Sequence, residues 1–257
     1  MVELPSLDIL DRESFQHVSL MGDLEHVVEK AKLRFYVPAQ GRSVSWDRAL
    51  LYNQLYWEEG TADVLAAREI PADVVAHVAW HHLTSRHLQA SAAAHLLGEA
   101  IASAFDVYLV GRLLGHQPDS EFLGTQVPRM AERAEDAGVG PSEFESLLEG
   151  IASEPERAFE DLRSLLFDAA CTLADTRSIA DAEVALQALE KRRFGCLLHH
   201  FDLAIWVLRT RAELGEDATT RGEDSKPAHA LDASLRASSD SLAELERRWL
   251  EPLRREW

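Results

Sequence analysis

Pro71-Ala-Asp73-Val-Val-Ala-His77-Val78-Ala-Trp80-His81-His82 and, after a short break, Ser91-Ala-Ala-Ala-His95-Leu-Leu-Gly98-Glu99-Ala-Ile-Ala-Ser103-Ala-Phe-Asp106-Val-Tyr-Leu-Val-Gly-Arg112-Leu-Leu114 decide how the whole chain is read. Both runs carry apolar residues at three- and four-residue intervals and are too long for strands, so each predicts a helix. Pro71 suits a helix start, where its missing N–H would have no intrahelical partner. Gly115 and Pro118 close the second helix by C-capping and chain breaking. His77 and His81 then lie about 40° apart around their helix, while His82 points well away from both. Asp73 sits one turn before His77 on that face and is placed to orient it. On the second helix His95, Glu99 and Asp106 share a stripe. Each helix thus has one polar seam on a greasy surface. Buried polar groups need partners, and the economical expectation is that the two seams face each other.

The same periodicity extends outward. Alanine, leucine, glutamate and arginine dominate, which favours helix nearly everywhere. Helices are expected over Glu13 to Lys32, Trp46 to Trp57, Pro71 to His87, Ser91 to Leu114, Pro128 to Ala137, Ser142 to Ser153, Pro155 to Asp175, Ile179 to Phe194, Cys196 to Leu214 and Leu231 to Arg255. Leu33-Arg-Phe-Tyr-Val37, closed by Pro38, is the only convincing strand-like run, and no partner for it is obvious. The expected fold is mainly α, a multi-helix bundle with at most a small strand element near residues 33–37. Residues 1–215 form its helical body. Residues 216–230, rich in Thr, Gly, Asp, Ser, Lys and Pro, have the composition of a solvated linker. Residues 231–257 read as a C-terminal helix whose stripe of Leu242, Leu245, Trp249, Leu250 and Leu253 docks on the body or on a second subunit.

Composition narrows the partners. The 257 residues are 46% hydrophobic, enough to fill a sizeable core. A formal charge of -18 is repelled by phosphate backbones and anionic membranes, so neither nucleic acid nor a membrane surface is an expected partner. Cys171 and Cys196 are too few for a disulfide framework and form no CxxC motif, which fits a reducing compartment. The N-terminus has neither a basic n-region nor an apolar h-region. A cytoplasmic location is the expectation. The apolar stretch from Ala90 to Leu114 contains His95, Glu99, Asp106 and Arg112, and reads as a buried core helix rather than a membrane span.

Two imidazoles four residues apart, with a carboxylate entering from the next helix, make a three-ligand metal site. His77-Val-Ala-Trp-His81 and Gly98-Glu99-Ala-Ile-Ala resemble the zinc core of the gluzincin metallopeptidases, whose HExxH helix gives two histidines and whose following helix gives a glutamate. The resemblance covers about Ala72 to Leu114. It implies His77, His81 and Glu99 as Zn2+ ligands and an open position for water, and the expected role is to act on or bind a small molecule or peptide.

Val78 stands where that family carries its general base. Loss of such a group removes about 100-fold to 10,000-fold of acid–base help, so ordinary peptidase activity is not expected unless another group substitutes. His95 and Asp106 are the candidates for that catalytic role. Ser103 occupies a place where some family members carry a supporting acid. Two histidines and one carboxylate are also the donor set of non-haem iron oxygenases, which makes Fe2+ the alternative metal. A rival from another class is a helical interaction scaffold with purely structural histidines, its C-terminal helix serving a protein partner or a homodimer.

Weaker signals lie elsewhere. In His199-His200-Phe201-Asp202 adjacent histidines point about 100° apart, so at most one faces the core. Asp168, Cys171 and Asp175 share a face that reads as a polar stripe. Glu58-Glu59 reads as a solvated helix end, and Trp46, Tyr52, Tyr56, Trp57, Trp80 and Trp206 more simply as core than as a substrate pocket. The chain contains no Glu-x-x-His, which argues against a four-helix di-iron site. It has no phosphate-binding Gly-rich loop, nucleophile elbow or nucleotide fingerprint either.

Overall fold

The computed structural model describes residues 1–37, 63–65 and 67–257. The helix expected over Trp46 to Trp57, the Glu58-Glu59 pair and the aromatic residues Trp46, Tyr52, Tyr56 and Trp57 lie outside them. The fold is mainly α, as the periodicity requires, and divides into two compact units, Met1–His82 and Leu83–Trp257. The division falls inside one continuous helix, Ala72–His87 (α2).

The first unit joins short strands to one helix. Val2–Glu3 (β1) pairs antiparallel with Arg34–Tyr36 (β3), which pairs in parallel with Asp63–Val64 (β4). Asp8–Leu10 (β2) pairs in parallel with Glu69–Pro71 (β5), and β5 runs directly into α2. The expected strand near 33–37 therefore has partners, all of two or three residues and too short to show an alternating pattern. The helix expected from Glu13 is broken: a 3-10 turn at Arg12–Phe15 precedes Ser19–Lys30 (α1), and Val18 between them is extended. Leu20, Leu24, Val27 and Val28 recur at helical spacing on α1 and are buried. With Leu4, Phe15, Phe35 and Ile70 they belong to this unit's core.

Ala92–Leu113 (α3) is the axis of the second unit. Among its residues only His95, Asp106 and Arg112 are not buried. Ser91 caps it, its hydroxyl accepting from the Ala94 N–H at 3.2 Å. This helix is long and apolar enough to cross a membrane, but 89% of the relevant window is buried inside the protein, as in a core helix. It packs on Pro141–Ser153 (α5), Pro155–Asp175 (α6), Leu203–Leu214 (α8) and Lys226–Ala237 (α9). The α5 approach is close: a Cβ at Gly111 would come within 2.6 Å of the Ile151 carbonyl oxygen. Phe105, Phe159, Leu162 and Leu166 are wholly buried. Each such side chain contributes about 1.5–3 kcal/mol.

Several helix limits depart from the expectation. Glu121–Asp136 (α4) starts well before Pro128 because Ser120 caps it and Phe122 and Leu123 anchor its first turn, leaving the proline inside. Ile179–Leu189 (α7) stops short of Phe194. The expected Cys196 to Leu214 helix is a 3-10 stretch, Gly195–Phe201, and then α8, separated by Asp202 in the left-handed region at φ 46°.

The C-terminal region begins earlier than expected and is segmented. Its pieces are α9, Ser241–Leu245 (α10), a π-helical turn at Glu246–Leu250 and Glu251–Arg254 (α11). Pro252 has no N–H to give the preceding turn, and the widened π turn accommodates that loss. The polar segment before α9 is tied down: Asp175 accepts from the Thr220 hydroxyl at 3.0 Å and from Arg221 Nε at 2.7 Å. α10 packs on α6 and α9.

Candidate metal centre

α2 and α3 carry the donors. One helical turn separates His77 from His81, and their ring centroids are 5.0 Å apart. Thr84, one turn beyond His81, packs against the residue just before Glu99: a Cβ at Gly98 would meet Thr84 Cγ2 at 3.2 Å. The absence of that Cβ lets the end of α2 and the start of α3 approach closely. His81 is 9% exposed and Glu99 is 1% exposed.

One donor atom each from His77, His81 and Glu99 lie within 4.8 Å of one another. Among the described residues this is the only group of three histidine, cysteine or acidic side chains so placed. Tetrahedral zinc with bonds of about 2.0–2.1 Å holds its donors about 3.4 Å apart, a spacing that falls within this limit. The group can hold a metal, and its two imidazoles and one carboxylate suit a borderline cation.

The polar seam of α3 continues past these donors. His95 Nδ1 lies 3.7 Å from Glu213 Oε2 at the end of α8. Glu213 also feels the negative charge of Glu99. Burial, opposed by Arg209 and reinforced by Glu99, pushes its carboxyl up to about 7. About 10 Å along α3 from Glu99, Asp106 acts on another residue, His200. Burial and the nearby Arg129 and Arg133 lower the His200 pKa, while Asp106 and Asp202 oppose them. α8 and the 3-10 stretch before it therefore answer the α3 seam at two levels. Neither His95 nor Asp106 belongs to the group of three donors.

The place of Glu213 beside His95 was not visible in the sequence. Thirteen positions separate it from His200, and an uninterrupted helix would put the two on opposite faces. The left-handed residue Asp202 breaks that helix and resets its phase. No local pattern announces such a break, because aspartate adopts this conformation only occasionally.

The weaker constellations resolve into structure. His199 is exposed and His200 half-buried, so at most one of the pair is turned inward. Asp168 binds Arg192 at 2.5 Å and Arg236 at 2.8 Å. Cys171 and Cys196 are both free thiols. Burial pushes Cys171 up to about 12, which makes it inert as a nucleophile. Trp80 and Trp206 are core residues. No protein-family model, curated protein or solved structure matches the chain.

Proposed function

We propose that the protein is a metalloprotein whose centre, His77, His81 and Glu99, binds a zinc-type divalent cation and acts on or binds a small molecule or peptide. The observation that carries this reading is the convergence of three donor atoms within 4.8 Å. The resemblance of the two helices to a gluzincin core supports zinc and an open position beside it. A cation there would polarise a carbonyl and acidify a bound water.

The chain's own residues set the rest. His77 and His81 hold the ion from one rigid helix face, and Glu99 closes the set from a position almost fully screened from solvent. That screening strengthens the attraction between carboxylate and cation. Val78, 2% exposed, offers no proton acceptor, so the centre is not an ordinary peptidase through that position. The same donor set also supports a non-haem iron reading, with Fe2+ in place of Zn2+ and open positions for oxygen and substrate.

Metal analysis of the purified protein tests the proposal. Near-stoichiometric zinc or iron is expected in the wild type and almost none in His81→Ala at unchanged helical content. A wild-type protein that stays metal-free after incubation with either ion, and keeps its stability in chelator, overturns the proposal in favour of a helical scaffold with structural histidines.

A further inference from the structure

Position 78 leaves the proposed centre without the carboxylate that would move a proton, and α8 brings one close. Glu213 sits at the C-terminal end of α8, its side chain 23% exposed, and its carboxylate is 3.7 Å from His95 Nδ1. His95 lies one turn before Glu99 on the same face of α3. The second carboxylate of the neighbourhood thus reaches it from a third helix, within ion-pair distance of a histidine that is not one of the three donors. It touches solvent, unlike Glu99, and so has a path for returning a proton to bulk water.

We propose that Glu213, positioned by His95, is the proton-transfer carboxylate of the His77, His81 and Glu99 centre and takes over the task that Val78 cannot perform. This rests on the metal-centre reading above. In hydrolysis of an ester or amide, an O–H bond of the attacking water breaks as an O–H bond forms on the Glu213 carboxylate. The water oxygen bonds to the carbonyl carbon. Glu213 then gives the same proton to the departing alcohol or amine as the scissile bond breaks, and returns to its ionised form. No electron donor or acceptor is needed.

The groups facing Glu213 fit this task. His95 and Glu99 come from α3 and Arg209 from α8 itself. Glu99 and the partly buried surroundings favour the protonated form, while Arg209 favours the ionised one.

The experiment uses the full chain loaded with Co2+, whose visible spectrum reports the ion's surroundings. Wild type, Glu213→Gln, Glu213→Asp and His95→Gln are titrated with Co2+ and then followed from acid to alkaline pH. All four are expected to bind one equivalent, because the three donors are intact. The spectral inflection of the wild type is expected to move by about one pH unit or more in Glu213→Gln. Glu213→Asp is expected to restore most of it and His95→Gln to shift it partway. Circular dichroism identifies any variant that fails to fold, and the remaining variants still decide the matter. If wild type binds Co2+ and the inflection is identical in every folded variant, Glu213 is not coupled to the centre and this proposal falls alone. If wild type binds no Co2+, the metal-centre reading falls and takes this one with it.

Discussion

Two clusters of charged and polar side chains lie in the Leu83–Trp257 unit, and they are closed by different chemistry. On α6 and α9, guanidinium groups hold every carboxylate of the network. Arg163, 0% exposed, binds Glu160 through two bonds of 2.7 Å and Asp232 through one of 2.8 Å. Arg236 joins Asp232 to Asp168, and Arg192 joins Asp168 to the Ser164 hydroxyl. Around the start of α3, by contrast, the basic partner seen beside Glu213 is the imidazole of His95, with Arg209 acting electrostatically. A guanidinium is charged at all accessible pH values and its fork matches a carboxylate. An imidazole changes charge near neutrality and also ligates metals. Arginine closure marks a cluster that holds the fold together, whereas histidine closure leaves chemistry available.

The largest expected effect comes from breaking the arginine cluster. Arg163→Ala takes from Glu160 its guanidinium partner, leaves Asp232 with Arg236 alone and empties a fully buried site, and is expected to destabilise the protein by about 3 kcal/mol, read from denaturant unfolding. A loss below about 1 kcal/mol would show that this network is no more than a surface pair. The histidine cluster should respond through ligand instead. Zinc at about 100 times its Kd is expected to stabilise the wild type by about 2.7 kcal/mol and to leave His81→Ala unchanged. Equal stabilisation of both proteins would place zinc elsewhere.

A smaller effect concerns pH. The Glu213 pKa is raised in the folded protein, to about 7 from the ordinary carboxyl value of 4.5. A raised carboxyl contributes stability that is fully present at low pH and is lost as pH rises through the folded value. Metal-free protein is therefore expected to lose stability between about pH 4.5 and 7, with a shallower decline in Glu213→Gln. Parallel profiles for the two proteins would remove Glu213 as the cause. The smallest effect belongs to the surface. Arg133 and Asp136 form an exposed pair at 3.2 Å, and Arg133→Ala is expected to change stability by less than about 0.5 kcal/mol.

Much of this was legible because it is local. The two seams are read from residues four and seven apart on single helices, and period alone places His77 with His81 and His95 with Glu99. The close packing of α2 and α3 follows from small residues such as Gly98, which the sequence displays. What it hid depends on chain paths. Two- and three-residue strands carry no period, so the partners of β3 could not be foreseen. Asp202 turned one expected helix into two pieces, and Glu213 at the end of the second lies beside His95. Asp175 converted a segment with linker composition into a fixed loop, an effect of a residue more than forty positions away.

Gly98 has one more consequence. A methyl group there would act as a shim between the helices, since the nearest Thr84 atom leaves only 3.2 Å for it. Thr84 would have to yield by a few tenths of an ångström, so a single carbon at position 98 would disturb the step just before Glu99 with no candidate donor altered.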